Sequence, residues 1–159
     1  MITSDYKDII DDLIKIRTGY TLADSFNHIA CLVSKNNKYN KIIGLNSDKT
    51  LFGNKTIKTH AEMAVIKKIR YYFKCNIIKN NKMDLIILRV NKYGKLCNSA
   101  PCYHCTCFLE TINNKQFIKI NRIYYSTTCG NINYIKFNEW VSLQKSNKHI
   151  SRCWKHWTC

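Results

Sequence analysis

Pro101 is the only proline of this 159-residue chain, and it opens the run Pro101-Cys102-Tyr103-His104-Cys105. Upstream, His60-Ala61-Glu62 opens a run with helical character. No other feature constrains the fold as much, because these two runs ask two helices to start at one place. Cys102 and Cys105 stand three positions apart at a helix start, so their side chains share a face within reach of one ion. A helix N-terminus favours thiolate, the form that binds zinc. His60 supplies a third ligand from the start of the other helix. The 41 residues between His60 and Cys102 suffice for a helix, a strand and a return to the same sheet edge. Three protein ligands leave one tetrahedral position open to water, which marks a catalytic site rather than a structural one.

Glu62, two residues past His60, can point into the same cavity without ligating the metal. Zinc lowers the pKa of bound water to about 7, and a carboxylate beside it can take that proton. The same carboxylate can then protonate a ring nitrogen and a departing amine, as hydrolytic deamination of an amidine-like ring requires.

Periodicity places these motifs on elements. Ile9, Ile10, Leu13, Ile14 and Ile16 predict an amphipathic helix from Asp5 to Arg17. The apolar run from His28 to Val33, a polar Asn36-Asn37-Lys38 break and the run from Lys41 to Leu45 predict an antiparallel hairpin. Thr59, with Glu62 three residues on, has the spacing of a capping box for a helix whose Val65, Ile69 and Tyr72 share a face. Asn80-Asn81-Lys82 ends that element. Met83 to Val90 reads as a continuous apolar strand buried on both faces, and Lys92 to Lys95 as a turn. Pro101 fits the first position of a helix to about Thr111, and Phe117 to Tyr125 alternates as a strand. The remainder, with Trp140, Trp154 and Trp157, gives no clear period. The order predicts a single α/β layered domain over 1–145 on a central mixed sheet, followed by a Cys/His/Trp-rich tail over 146–159.

At these residues the chain resembles the cytidine/deoxycytidylate deaminase superfamily, whose signature is H-x-E followed by P-C-x-x-C. The likeness covers roughly residues 25 to 130, element order included. It implies a three-layer α/β/α fold, zinc on His60, Cys102 and Cys105, hydroxide on that zinc attacking C4 of the base, and Glu62 as proton shuttle. It also implies that Asn46, at the end of the strand before the H-x-E helix, touches the sugar, and that the backbone of Ala61 and Ala100 borders the base. A homo-oligomer is expected on the same ground. Cytosine is the favoured base, in a nucleoside or nucleotide. The alternatives are an RNA, DNA or tRNA base deaminase acting on cytosine or adenine, and a catalytically silent, zinc-held basic module that binds nucleic acid.

Charge keeps the polymer question open. Lys and Arg number 26 against 10 Asp and Glu, a formal +16, which favours polyanions. The chain is also crowded with Lys, Asn and Ile, so compositional bias accounts for the same excess without any ligand. Lys67, Arg70 and Lys74 form a basic stripe at helical spacing, interleaved with Tyr71, Tyr72 and Phe73; it suits a phosphate backbone or a solvated face equally. The N-terminal residues lack a basic region followed by an apolar run, and no stretch approaches the roughly 18 apolar residues that span a bilayer. With nine cysteines, that predicts a reducing, cytoplasmic setting and no membrane partner.

Of the other thiols and imidazoles, Cys97 and Cys107 flank the motif and read as core or surface thiols. His104 lies between the ligands, facing substrate or solvent. His149, Cys153, His156 and Cys159 are spaced 4, 3 and 3. They could hold a second zinc, but a tail covering part of the core with Trp154 and Trp157 is preferred.

Overall fold

The computed structural model describes residues 6–19, 27–34, 37–46, 51–52, 55–56, 59–74, 82–114 and 118–147. Helix α1 spans Lys7–Gly19. Strands β1 (His28–Ser34) and β2 (Asn37–Leu45) form the expected antiparallel hairpin, with Ala30 opposite Gly44. Two short strands, β3 (Leu51–Phe52) and β4 (Lys55–Thr56), make a separate ribbon. Next come α2 (Ala61–Lys74), β5 (Lys82–Val90), β6 (Leu96–Cys97), α3 (Tyr103–Asn114) and β7 (Lys119–Ser126). The segment without a clear period forms β8 (Ile132–Lys136) and α4 (Phe137–Ser146).

The sheet order is β2-β1-β5-β7-β8, with β6 added to β5. Among the described residues only β5 and β7 pair in parallel, so the sheet is mixed, as the sequence predicts. A parallel pair needs a crossover, and α3 provides it. Alternation along the central strands then builds two cores. Met83, Leu85 and Ile87 of β5 meet Val65, Ile66 and Ile69 of α2, Leu109 and Ile112 of α3, and Phe137 and Trp140 of α4. Ile86 and Leu88 face the other way, onto Ile9, Ile10 and Leu13 of α1. The result is the expected three-layer α/β/α fold. Two charged residues interrupt the apolar reading of β5, Asp84 and Arg89, and Asp84 is buried but fully engaged. It accepts from Tyr6 Oη at 2.8 Å, Asn121 Nδ2 at 2.9 Å and the Arg122 N–H at 3.1 Å.

Helix α1 departs from its predicted stripe at one end. Ile14 and Ile16 are only partly buried, whereas Arg17, one turn past Leu13, is 3% exposed. No helix among the described residues is long and apolar enough to cross a membrane.

Candidate active site

Helix α2 begins where β2 forces it close. The first helical bond runs from the Ala64 N–H to the His60 carbonyl at 3.0 Å, so His60 occupies the N-cap position. Thr59 lies one residue too early to form the expected capping box. The Glu62 carboxyl turns instead to its own backbone N–H and the Cys105 thiol. A Cβ on Gly44 would come within 2.8 Å of the Ala61 carbonyl oxygen and 2.9 Å of Val65 Cα. Only glycine lets the end of β2 pass the first turn of α2 this closely.

Helix α3 is held by hydrogen bonds. Its first bond joins the Thr106 N–H to the Cys102 carbonyl at 2.9 Å, which makes Cys102 the N-cap. Pro101 therefore stands just outside the helix, not at its first position. Cys102 Sγ accepts the Cys105 N–H at 3.5 Å, so the ligand sulfur also caps the helix. Thr106 Oγ1 donates to the Cys102 carbonyl at 3.0 Å and accepts from Trp140 Nε1 of α4 at 2.9 Å. Behind the turn, Ser99 Oγ donates to the Ile87 carbonyl at 2.7 Å and accepts the Ser126 N–H at 2.8 Å. Ser126 Oγ in turn donates to the Cys97 carbonyl and accepts the Arg89 N–H at 3.2 Å. These two serines clamp the approach to α3 onto the ends of β5 and β7. Ser99 in a loop and Ser126 at the end of β7 carry no spacing signal, so the sequence does not announce them, nor the contact of Trp140.

The two helix starts bring His60, Cys102 and Cys105 together, with their ligand atoms all within 4.8 Å of one another. His60 Nδ1 lies 3.1 Å from Cys105 Sγ and 3.8 Å from Cys102 Sγ. Zn–S of about 2.3 Å and Zn–N of about 2.0 Å set tetrahedral edges of about 3.6 Å, so the donor set fits zinc. Both sulfurs are buried. The thiols share a proton unevenly: the hydrogen bond from Cys105, against the cost of burial, holds Cys102 down to about 3. The same bond and burial push Cys105 up. Thiolate is thus available before any metal enters, as a zinc site requires.

Glu62 is 5% exposed, beside the set yet outside it. Burial pushes its carboxyl up, opposed chiefly by its own backbone N–H and the His60 charge. Ala61 is fully buried in the first turn of α2, and Ala100 packs half-buried against the core with its N–H on Asn98 Oδ1 at 3.2 Å. Asn46 ends β2, where its Oδ1 accepts the His28 N–H at 3.1 Å and Arg17 Nη2 at 3.3 Å. Both neighbours can only donate, so the amide oxygen must face them. His104, Cys97 and Cys107 are half-buried. Lys67 is exposed; the side chains of Arg70 to Lys74, and His149, Cys153, His156 and Cys159, lie outside the described residues. A groove of about 420 Å³ lined by Lys82, Asn113, Lys119, Lys136 and Glu139 sits at the opposite end of β5 and β7. It contains none of the site residues.

A mixed-sheet α/β/α domain with a His-Cys-Cys set at two helix starts defines a deaminase-like fold carrying a zinc-type site. Among solved structures, the chain is similar to cytidine deaminase from Burkholderia pseudomallei, with a TM-score of 0.50 and 11% identity over 84% of this chain and 94% of that one. At that identity the likeness is one of fold. No family profile matches the sequence, and no curated protein does.

Proposed function

We propose that the protein is a zinc-dependent hydrolytic deaminase of a cytosine-containing nucleoside or nucleotide. The observation that carries this reading is a buried carboxylate, Glu62, set beside three metal donors and not among them. A purely structural zinc site has no use for such a group. His60 Nδ1, Cys102 Sγ and Cys105 Sγ would hold the ion and leave its fourth position open. When bound there, zinc supplies a water acidified towards neutral pH. Glu62 does the proton work: its carboxylate oxygen takes one proton of the water and delivers it to the ring nitrogen beside C4, then takes the remaining hydroxyl proton at C4 and gives it to the departing amine, which leaves as ammonia. Burial raises this carboxyl, which makes it a stronger base for the first of these transfers. The backbone around Ala61 and Ala100 would border the base, and Asn46 the sugar.

The test pairs metal analysis with ammonia release from cytidine, deoxycytidine, their monophosphates, adenosine, and single-stranded RNA and DNA. Wild type should hold about one zinc per chain and release ammonia from a cytosine substrate. Glu62→Ala should keep its zinc and fold but lose at least the 10²–10⁴ in rate that general acid–base catalysis supplies. Equal turnover by the two proteins would sink the mechanism, and turnover of adenosine alone would reassign the base.

A further inference from the structure

Strand alternation carries two more side chains to the site's face. His28, the first residue of β1, pairs directly with Arg89 near the end of β5. Further along the same ladder, Ala30 opposes Ile87 and Leu32 opposes Leu85, and all four pack in the core beneath α2 and α3. Opposed residues of an antiparallel pair share a face, and the face repeats every two residues. His28 and Arg89 therefore project to the α2/α3 side, at the strand ends where the two helices begin.

A second observation places them near the metal donors. Burial does most to hold the His28 pKa down to about 4; the charges of Arg89, His60 and Arg17 act in the same direction, and that of Cys102 opposes them. Arg89 itself is half-buried. Its backbone N–H is taken by Ser126, but among the described residues its guanidinium makes no hydrogen bond and meets no carboxylate. A guanidinium with no ion-pair partner among the described residues at this face can receive an anionic ligand through its two-pronged donor edge. The opposite groove differs: its Lys136 is exposed and paired with Glu139 at 3.5 Å.

We propose that Arg89, with His28 beside it, forms a phosphate subsite of this centre, so that the substrate is a nucleotide and not the bare nucleoside. The guanidinium fork matches two phosphate oxygens, and the neutral imidazole adds one N–H donor. The inference rests on the deaminase reading for the base but not for the phosphate. The phosphate belongs to a free monophosphate or to the backbone of a strand, and the arms of the test separate these.

The experiment is calorimetric titration of zinc-loaded wild type, Arg89→Met and Arg89→Lys, each checked for zinc content and thermal melting. The titrants are cytidine, cytidine 5′-monophosphate, single-stranded oligo(dC) and inorganic phosphate. Wild type should prefer the monophosphate to cytidine by roughly 10- to 100-fold, as a charge-assisted contact supplies. Arg89→Met should bring that ratio close to one, and Arg89→Lys should recover part of it. Oligo(dC) binding that outcompetes the monophosphate and falls in Arg89→Met supports the subsite with a strand as its source. Equal wild-type affinity for cytidine and its monophosphate, or an unchanged ratio in Arg89→Met, overturns the proposal. If no cytosine ligand binds, the deaminase reading has failed; the subsite then stands if phosphate binds wild type and not Arg89→Met, and falls otherwise.

Discussion

Helix α2 reaches the site by lying so close to β2 that Gly44 has no room for a methyl group, whereas α3 is fastened by hydrogen bonds from Ser99, Ser126, Thr106 and Trp140. Both solutions put a candidate metal donor at an N-cap, His60 in one helix and Cys102 in the other. They differ in what they tolerate. Close packing of backbone against backbone has no slack, so an added atom must move a whole element. A set of hydrogen bonds loses one member at a time, and each loss is bounded. The same three ligands are thus positioned by one brittle support and one graded support.

The largest effect should come from removing what joins the two. Cys105→Ala takes away the donor that bridges α3 to His60 and Glu62, so zinc should fall from about one per chain to near none, with a marked drop in melting temperature. Stoichiometric zinc in this variant, read by metal analysis, would mean that the ligand set is misassigned.

Next in size is Gly44→Ala. The new methyl group meets backbone atoms of Ala61 and Val65, and overpacking of this kind costs about 1–3 kcal/mol or somewhat more. Because the displaced turn carries His60, zinc affinity should fall together with stability. A variant with wild-type melting and metal affinity would show that α2 is not pinned there.

His28 probes the sheet beneath both helix starts. Its folded pKa of about 4 lies below its ordinary value of 6.5, so the native state favours the neutral ring. That contribution is present above pH 6.5 and is lost as the pH falls towards 4, at most about 3 kcal/mol. Stability curves over that window should be flatter for His28→Gln than for wild type. Parallel curves would show that His28 is not held neutral by its burial and the charges around it.

The smallest effects belong to the hydrogen-bonded support. Ser126→Ala should cost about 1–3 kcal/mol, since it strips partners from Cys97 and Arg89. Trp140→Phe should cost about 1 kcal/mol, because Thr106 keeps its bond to the Cys102 carbonyl. Chemical denaturation should rank them in that order, both below Gly44→Ala. A collapse of zinc binding in Trp140→Phe would make α3 as brittle as α2 and erase the contrast.

The sequence by itself determined the His-Cys-Cys group that could hold a metal, the carboxyl beside it, the hairpin, the buried central strand and the layered class. Each rests on residue type at short spacing, and three- or two-residue periods are fixed by local backbone geometry. It erred by a residue or two where caps form: Thr59 and Pro101 have the right propensities, but the tertiary contacts gave the cap positions to His60 and Cys102. What only the tertiary structure decided are contacts distant in sequence. Ser99 meets Ser126, Trp140 meets Thr106, and Gly44 meets Ala61, and none of these residues announces its partner in the chain. Arg89 sits near the end of a strand that reads as apolar despite Asp84 and Arg89. Its place on the α2/α3 face emerges only when the β1–β5 register sets it opposite His28, because register depends on how whole strands pair and no local period encodes it.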